Sequence, residues 1–218
     1  MKTAAIFDLD HTLLPVNSGF WAGYDLYKRS KLPLLGLVRV LGAALAYRFA
    51  RIDFDQLVQL SKNHLVSMSK QELSDWGHTF VTQSLLPKIL ADAKKTLTYH
   101  QKLGHCLVLA TSSIEEIAIP LAAALGMDEV VANRCLYDDK GQLTYSLAKP
   151  YCFGQGKLQR VVQLAKEKQL NLDESYFYSD SIVDVPLLQR VKFPQVVNPD
   201  WRLRLYAKTK QWPTFTWR

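Results

Sequence analysis

The sequence is poor in cysteine, and its cysteines are scattered. Cys106, Cys135 and Cys152 are the only three in 218 residues, and no two of them have C-x-x-C spacing. This pattern excludes the disulfide framework of a small secreted domain and a zinc site built on cysteine pairs. We therefore expect reduced thiols that pack in the protein core.

The sequence pattern also predicts neither a secretory leader nor a membrane span. The first three residues lead directly into an apolar strand pattern, which predicts a cytoplasmic protein. The most apolar stretch, residues 32–50, is interrupted by Pro33 and Arg39, whereas a spanning helix needs about 20 predominantly apolar residues. A buried amphipathic helix is the favoured interpretation of this stretch.

An interfacial helix is the alternative interpretation of the same stretch. Residues 28–51 contain no acidic residue, and the basic ones among them are Lys28, Arg29, Lys31, Arg39, Arg48 and Arg51. This charge pattern predicts weak contact with an anionic membrane, at its inner face, through the segment.

The overall composition is that of an ordinary globular protein. The chain is 48% hydrophobic and 22% charged, with a formal net charge of +7. Its length suits one α/β domain with a sizeable insertion. The positive charge favours anionic partners such as phosphates, anionic lipids or nucleic acid, without choosing among them.

Two carboxylates follow the first predicted strand. The apolar run 4–7 is typical of a buried parallel strand, and Asp8 and Asp10 come directly after it. Because side chains alternate along an extended chain, both carboxylates should lie on the same side. Open α/β sheets bind ligands at the carboxyl ends of their strands, and paired carboxylates suit Mg²⁺. The alternative is a helix N-cap at Asp10 or Thr12.

Polar residues end two later strand patterns in the same way. The strand predicted over residues 105–110 runs into Thr111 and Ser112, and the one that begins near residue 175 runs into Asp180. Asp184 follows four residues later. Hydroxyls and backbone N–H groups at a strand-to-helix turn bind phosphate well. Alternative roles are an ordinary N-cap for the hydroxyls and a first-turn helix acid for Asp184.

A glycine-flanked lysine opens a predicted helix. Residues 154–157 read Gly-Gln-Gly-Lys, but the spacing is not that of a P-loop, and Leu158 stands where serine or threonine should follow the lysine. At the same sheet edge, the charge of Lys157 would offset the repulsion among carboxylates and a bound phosphate. The alternative is a solvated surface lysine.

Two further patterns concern the strands. Residues 133–147 resemble a hairpin around residues 138–141, Asp-Asp-Lys-Gly. Residues 196–199, Val-Val-Asn-Pro, predict a last edge strand and a turn.

Between the first strand and residue 90 the pattern becomes helical. Aromatic residues recur at helical spacing over 20–27, and leucines do so over 57–65 after a candidate cap at Asp53. Residues 69–72 read as a capping box. We call the segment 15–90 the insert.

The segments together resemble a known family. Residues 8–12, Asp-Leu-Asp-His-Thr, resemble the DxDxT motif of the haloacid dehalogenase (HAD) superfamily, and the other three segments resemble its later motifs in order. The resemblance covers nearly the whole chain and is greatest for subfamily IB, the phosphoserine phosphatase-like hydrolases. It implies an α/β fold, a Rossmann-like three-layer parallel sheet core over 1–14 and 91–218, with an α-helical C1 cap over 15–90 inserted after the first strand.

The resemblance also implies a Mg²⁺-dependent phosphatase with covalent catalysis. Asp8 would be the nucleophile that forms an aspartyl phosphate, and Asp10 the general acid and base. Asp8, Asp180 and the Asp10 backbone carbonyl would hold the Mg²⁺, and Asp184 would support the metal site.

By the same resemblance, Thr111, the Ser112 amide and Lys157 would bind the transferred phosphate. The family pattern places a polar residue where this chain has Val183, so one hydrogen bond near the phosphate is lost or moved.

The substrate is less clearly indicated. In phosphoserine phosphatases an acid nine residues after the nucleophile binds the ammonium group, and this chain has Asn17 there. For His11, the expected roles are to sense pH or to contact substrate, and the alternative is an outward-facing turn residue. A small phosphorylated metabolite is the favoured substrate, and a phospholipid or lysophospholipid headgroup is the alternative. A non-catalytic binding module ranks lower, and no nucleic acid is expected despite the basic, aromatic segment 201–218.

Overall fold

The apolar run at the start of the chain forms the central strand, β1 (Ala4–Phe7), and all four of its residues are fully buried. The structure, a computed structural model, describes residues 1–38, 42, 56 and 68–218. Strand β1 lies between two parallel neighbours, which pair Phe7 with Leu109 on one side and with Tyr178 on the other.

Six parallel strands form the sheet, in the order β3-β2-β1-β6-β7-β8. Besides β1, they are β2 (Cys106–Ile114), β3 (Glu129–Asn133), β6 (Tyr176–Ser179), β7 (Phe193–Val197) and β8 (Thr214–Phe215). The chain builds one side of β1 first and then crosses to the other, so the strand order reverses at β1. Ligands of open α/β sheets bind at such a switch point.

The hairpin predicted around residues 138–141 is confirmed. Strands β4 (Cys135–Tyr137) and β5 (Leu143–Leu147) pair antiparallel beside the main sheet. The interpretation of β7 as the edge strand is wrong, because Val196 and Val197 pair with Thr214 and Phe215 of β8. Two exposed residues of a terminal segment give too little pattern to predict a strand.

Helices follow most of the strands. The helices are α1 (Ser18–Lys28), α2 (Lys70–Phe80), α3 (Ala91–Lys102), α4 (Glu115–Ala124), α5 (Gln155–Glu167), α6 (Val185–Leu188) and α7 (Trp201–Lys210). A π-helical turn (Val81–Leu85) and a 3-10 turn (Leu86–Lys88) join α2 to α3, and further 3-10 turns span Leu172–Glu174 and Ile182–Asp184.

The sheet is covered on both faces, which confirms the predicted three-layer α/β architecture. Along β1, Ala5 and Phe7 pack into the hydrophobic cluster on one face, with side chains of α1 to α4. Ala4 and Ile6 pack into the cluster on the other face, with side chains of α5, α6 and α7. This alternation is the period of two that a strand imposes, and burial on both sides explains the uninterrupted apolar run.

The insert after β1 is helical where the structure describes it. The predicted capping box is present at the start of α2, where the Ser69 side chain accepts from the Glu72 N–H and the Glu72 carboxylate accepts from the Ser69 N–H. Helix α2 packs closely on the core at Gly77, where a Cβ would collide with the Glu116 carbonyl oxygen. Only a glycine fits this crossing, so the insert and the core are in direct contact.

Some predictions for the insert fall outside the described residues. They are the cap at Asp53, the helix over 57–65 and most of the apolar stretch 32–50, of which residues 34–38 are helical. The boundaries of the two domains stay a prediction. Within the described ranges, no helix has both the length and the hydropathy needed to cross a membrane.

Candidate active site

The register of the sheet brings three predicted site residues to one edge. Asp8 follows Phe7 at the end of β1, and its N–H donates to the Tyr178 carbonyl at 2.9 Å. Because Phe7 pairs with Leu109 and Tyr178, the residues two positions beyond these partners are Thr111 and Asp180. Both flank Asp8 at the carboxyl ends of the neighbouring strands.

Lys157 reaches this edge from the first turn of α5. Its ammonium nitrogen donates to Asp8 Oδ1 and to Asp184 Oδ2, each at 2.8 Å, and the Lys157 residue is 3% exposed. The alternative of a solvated surface lysine is therefore wrong. The sequence pattern predicts a lysine at the start of a helix. It does not predict where the side chain points, because that depends on how α5 packs on the sheet.

Two glycines set the start of α5. Gly154 has a φ of +51°, and a Cβ there would contact the Val183 side chain at 3.5 Å. A Cβ at Gly156 would collide with the Tyr151 carbonyl oxygen. The close approach at Gly156 thus leaves no room for a side chain directly before Lys157. Val183 thus packs under the glycine turn.

Asp184 anchors the lysine from the opposite side. Its Oδ2 accepts from the Ser179 hydroxyl at 2.7 Å as well as from Lys157. Asp184 and Ser179 are both buried, so this network is shielded from water. Asp184 ends the 3-10 turn before α6, and its side chain serves the lysine rather than the helix terminus.

Burial dominates the electrostatics of this network. It raises the pKa of Asp8 to about 7, against the opposing effect of Lys157 and with a further increase from Asp184. Burial alone would lower the pKa of Lys157, but Asp184 and Asp8 outweigh it, and the pKa is raised. Lys157 therefore stays charged and holds a buried pair of acids.

The Asp10 carboxylate faces a different part of the chain. Its Oδ1 accepts from the Ser18 N–H at 2.7 Å, and its Oδ2 accepts from the Asn17 side-chain amide at 3.2 Å. Burial raises the pKa of Asp10, and the Ser18 backbone and side chain act against that increase. Asp10 is thus bound to the N-terminus of α1, where the helix dipole favours a negative charge.

Two of the three predicted phosphate-binding residues, Thr111 and Ser112, lie in the last part of β2. Thr111 is buried, and its hydroxyl accepts from the Ser113 N–H at 3.0 Å. The pairing of β2 with β3 is irregular between Ala110 and Ile114. A distorted ladder frees backbone N–H groups to face a ligand, which suits the expected role of the Ser112 amide.

Asn133 fixes the backbone around Ser112. Its side-chain amide donates to the Ser112 carbonyl at 2.7 Å, and its Oδ1 accepts from the Cys152 N–H at 2.8 Å. Asn133 is fully buried. Sequence reasoning missed both Asn133 and Ser179, although a polar residue at the end of an apolar strand is the available signal for each.

Asp180 lies beside the same cluster. Burial, followed by the charges of Asp8, Asp184 and Asp10, raises the pKa of its carboxyl group well above the usual range, and only Lys157 acts in the opposite direction. Among the described residues, no hydrogen-bond donor reaches its side chain. Its carbonyl accepts from the Asp200 N–H at 2.8 Å, and Asp200 in turn caps α7.

This cluster fits a hard divalent cation by its donor chemistry. It combines the carboxylates of Asp8, Asp10, Asp180 and Asp184 with a single buried lysine, so negative charge is in excess. In the described part of the chain, no three His, Cys, Asp or Glu side chains converge as a ready-made metal site. The hydrogen bonds explain why. The Asp10 carboxylate is bound to the start of α1, and the Asp184 carboxylate is bound to Lys157 and Ser179. The expected side-chain ligands are therefore Asp8 and Asp180, with the backbone carbonyl of Asp10 as the third ligand. Mg²⁺ commonly takes one or two carboxylates and keeps several waters.

The two predicted substrate-side residues are placed differently. His11 has a φ of +56° in the loop after β1, and its carbonyl lies 3.4 Å from the Asn198 side-chain amide that donates to it. Asn17 makes two hydrogen bonds within the protein, because its Nδ2 donates to Asp10 and its Oδ1 accepts from the Phe20 N–H at 2.9 Å. A contact with substrate stays a prediction for both residues. Asn17 is also the N-cap of α1, and the sequence alone does not distinguish an N-cap asparagine from one that binds a ligand.

Comparison with known proteins agrees with this geometry. The family model for haloacid dehalogenase-like hydrolases matches residues 5–189. A probable phosphatase of Mycobacterium tuberculosis is 31% identical over 99% of this chain and 75% of its own length. A histidinol-phosphatase of Neisseria meningitidis is 29% identical over 100% of both chains.

A phosphoserine phosphatase of Mycobacterium tuberculosis is 27% identical over 97% of this chain and 70% of its own. The crystal structure of a protein of unknown function from Bordetella pertussis superposes with a TM-score of 0.86 and 28% identity, covering 99% of this chain and 98% of that one. These matches confirm the predicted resemblance and the predicted class of enzyme, a phosphatase.

Proposed function

Because the chain belongs to the haloacid dehalogenase-like hydrolase family, we propose that it hydrolyses the phosphomonoester of a small metabolite in two displacements at Asp8, with Mg²⁺ as cofactor. The observation that carries this proposal is the buried ammonium of Lys157, which donates to both Asp8 and Asp184 at 2.8 Å. A fixed cation against a strand-end carboxylate prepares the site for a phosphate dianion.

In the first displacement, the Asp8 carboxylate attacks phosphorus. The new bond is the aspartyl phosphate, and the bond that breaks joins phosphorus to the substrate alkoxide. Asp10, in its protonated form, gives its proton to that alkoxide. The raised pKa of Asp10 supports this role, because an acid must hold its proton before it can give it.

In the second displacement, water attacks the aspartyl phosphate. Asp10 now takes the proton from the water, phosphate leaves, and Asp8 returns as a carboxylate. Lys157, the Thr111 hydroxyl and the Ser112 amide hold the phosphate oxygens during both steps. Asp184 and Ser179 keep the lysine in place.

The Asp8 and Asp180 carboxylates and the Asp10 backbone carbonyl would hold the Mg²⁺. When bound, it would supply positive charge to the phosphate oxygens and to the crowded carboxylates. Asp180, whose side chain accepts no hydrogen bond from the described residues, is available for that role.

Histidinol phosphate is the first substrate to test. The relative named histidinol-phosphatase matches over the full length of both chains, whereas the relative named phosphoserine phosphatase is longer. Asn17 is a neutral amide, so it offers no acid to the ammonium group that phosphoserine and histidinol phosphate share. The full-length match is therefore the observation that ranks histidinol phosphate above phosphoserine.

Phosphate release is the experiment that tests the proposal. Wild-type protein with Mg²⁺ is assayed on histidinol phosphate, phosphoserine, glycerol phosphate and an aryl phosphate, with the Asp8→Asn variant as the blank. We expect release that requires Mg²⁺, stops with a chelator and is absent in the variant. Equal release by the variant would overturn the assignment of the nucleophile.

A lipid headgroup phosphate is a second candidate substrate, favoured by one surface. Leu34, Leu35 and Val38 are more than half exposed next to the basic residues at the end of α1. The same assay with lysophosphatidic acid, and sedimentation with anionic vesicles at low salt, test this candidate. No lipid turnover and no sedimentation would remove it.

A further inference from the structure

The Asp10 carboxylate is held on both of its oxygens by the first residues of the insert. The Ser18 N–H donates to Oδ1 at 2.7 Å, and the Asn17 amide donates to Oδ2 at 3.2 Å. Two donors on the two oxygens define the rotation of the carboxylate about its Cβ–Cγ bond. Only the second donor is a side chain, so only that contact can be changed by a substitution that leaves the backbone intact.

The orientation of the Asn17 amide is set by its other partner. Its Oδ1 accepts from the Phe20 N–H at 2.9 Å and caps α1. A backbone N–H can only donate, so the end of the amide that faces Phe20 is the oxygen and the end that faces Asp10 is the NH₂ group. Asn17 thus links the start of an 11-residue helix to the Asp10 carboxylate.

We propose that Asn17 is a positioning residue that aims the Asp10 carboxyl group at the leaving oxygen of the substrate. This inference rests on the proposed function, in which Asp10 transfers the proton. Proton transfer depends on a short contact in the right direction, so a carboxyl group that turns away from the leaving oxygen loses its effect. The position where phosphoserine phosphatases place a substrate-binding acid thus serves the general acid in this chain.

The test uses a substitution that keeps the helix cap and removes the donor. Serine is as good an N-cap as asparagine, so Asn17→Ser preserves the start of α1. It has no NH₂ group, and its shorter side chain ends about where the amide carbon was, a bond length short of the nitrogen that donates to Asp10. The value of kcat/KM is compared for an alkyl phosphate and for nitrophenyl phosphate. Nitrophenolate leaves as a stable anion and needs no proton, whereas an alkoxide needs one. Since kcat/KM covers only the steps up to the departure of the leaving group, the later hydrolysis step does not obscure the comparison.

We expect kcat/KM for the alkyl phosphate to fall about tenfold or more in Asn17→Ser, and that for the nitrophenyl ester to change less than about threefold, because general acid catalysis contributes a factor of order 10²–10⁴ only where a proton must move. An equal fall for both substrates would show a merely structural role and overturn the proposal. Unchanged values for both would overturn it too.

A double-mutant cycle separates this proposal from the proposed function. Asp10→Asn should also impair the alkyl phosphate selectively, and Asn17→Ser should add little in the Asp10→Asn background, because the group that it positions is already lost. Additive effects would overturn the positioning role. If Asp10→Asn itself affects both substrates equally, the acid role of Asp10 fails. If Asp8→Asn stays active, the nucleophile is wrong, and that result is independent of Asn17.

Discussion

Asp8 and Asp10 are two residues apart, yet they are held by different parts of the molecule. Asp8 is bound by Lys157, which comes from α5 and is itself anchored by Asp184. Asp10 is bound by the first residues of the insert, Asn17 and Ser18. One carboxylate therefore belongs to the core, and the other depends on the segment inserted after β1.

This difference separates two tasks that one site must perform. Under the proposed function, the core provides a buried charge arrangement for the phosphoryl group, which is common to all phosphomonoesters. The insert orients the group that we propose to move a proton, close to where the variable part of a substrate would lie. Changes on the core side should therefore affect all substrates alike, and changes on the insert side should depend on the leaving group.

The strongest way to break this comparison is to remove the proposed nucleophile. Asp8→Asn should lower turnover of every substrate by about three orders of magnitude or more, because a covalent nucleophile acts together with the whole site. Steady-state phosphate release measures the effect. Residual activity above about a tenth of wild type would show that Asp8 does not form the covalent bond.

Removal of the core cation should affect stability as well as activity. Lys157→Met leaves Asp8 and Asp184 buried without their shared partner, and breaking such a pair costs about 3–5 kcal/mol. Urea unfolding measures the free energy of unfolding. The matched control is Lys192→Met, which removes an exposed ion pair with Glu174 and should change stability little. Similar losses in both variants would contradict the account of a buried network.

Displacement of the lysine without changing it is a finer test. Gly156→Ala introduces a Cβ that would collide with the Tyr151 carbonyl oxygen, so the start of α5 must shift and Lys157 with it. We expect a loss of about 1–3 kcal/mol, as in other overpacked sites, together with lower kcat on all substrates.

Gly141→Ala is the control for this test. Gly141 has a φ of +72° but no atom within 4 Å of the added Cβ, and it lies in the hairpin loop away from the site. It should lose stability through backbone strain and keep kcat. An equal fall of kcat in both variants would contradict the inference that Gly156 affects activity through the position of Lys157.

The prediction furthest from the site concerns the pH dependence of stability and involves neither carboxylate. His100 is fully buried between His105 and Tyr178, with each of its ring nitrogens 2.8 Å from one of these partners. Burial, and secondarily the charge of His105, lowers the pKa of His100 from 6.5 to about 4. Between these values the unfolded chain binds the proton and the folded protein does not, so stability falls as the pH drops from 6.5 towards 4.

Unfolding of wild type and His100→Gln at a series of pH values measures this contribution. Wild type should lose up to about 3 kcal/mol more than the variant across that window, at about 1.4 kcal/mol per pKa unit. Parallel stability curves for the two proteins would contradict the assignment to His100. The activity assays at neutral pH are unaffected, since this window lies below it.

The sequence predicted the fold more completely than it predicted the contacts of the site. The apolar run 4–7, the capping box at Ser69 and the hairpin at 138–141 are local signals, and each appears in the structure where its pattern is. Strand β8 consists of two exposed residues at the end of a long connection. No local sequence pattern predicts that they pair with β7.

At the site, the order of the polar strand ends indicated which residues meet, because parallel strands share one edge. The direction of a long side chain and the partners of a short one are not local properties. Lys157 turns inward to Asp8 and Asp184, which lie far from it in sequence. Asn17 is taken by Asp10 and Phe20, a combination that depends on where α1 starts relative to β1.

The most direct test of the central claim is to identify the residue that carries the phosphoryl group. Protein mixed with substrate and Mg²⁺ is quenched in acid, reduced with borohydride, which converts an aspartyl phosphate to homoserine, and digested for mass spectrometry. The account predicts homoserine at position 8 and nowhere else. Homoserine at Asp10 or Asp180 instead, with Asp8 unchanged, would contradict it.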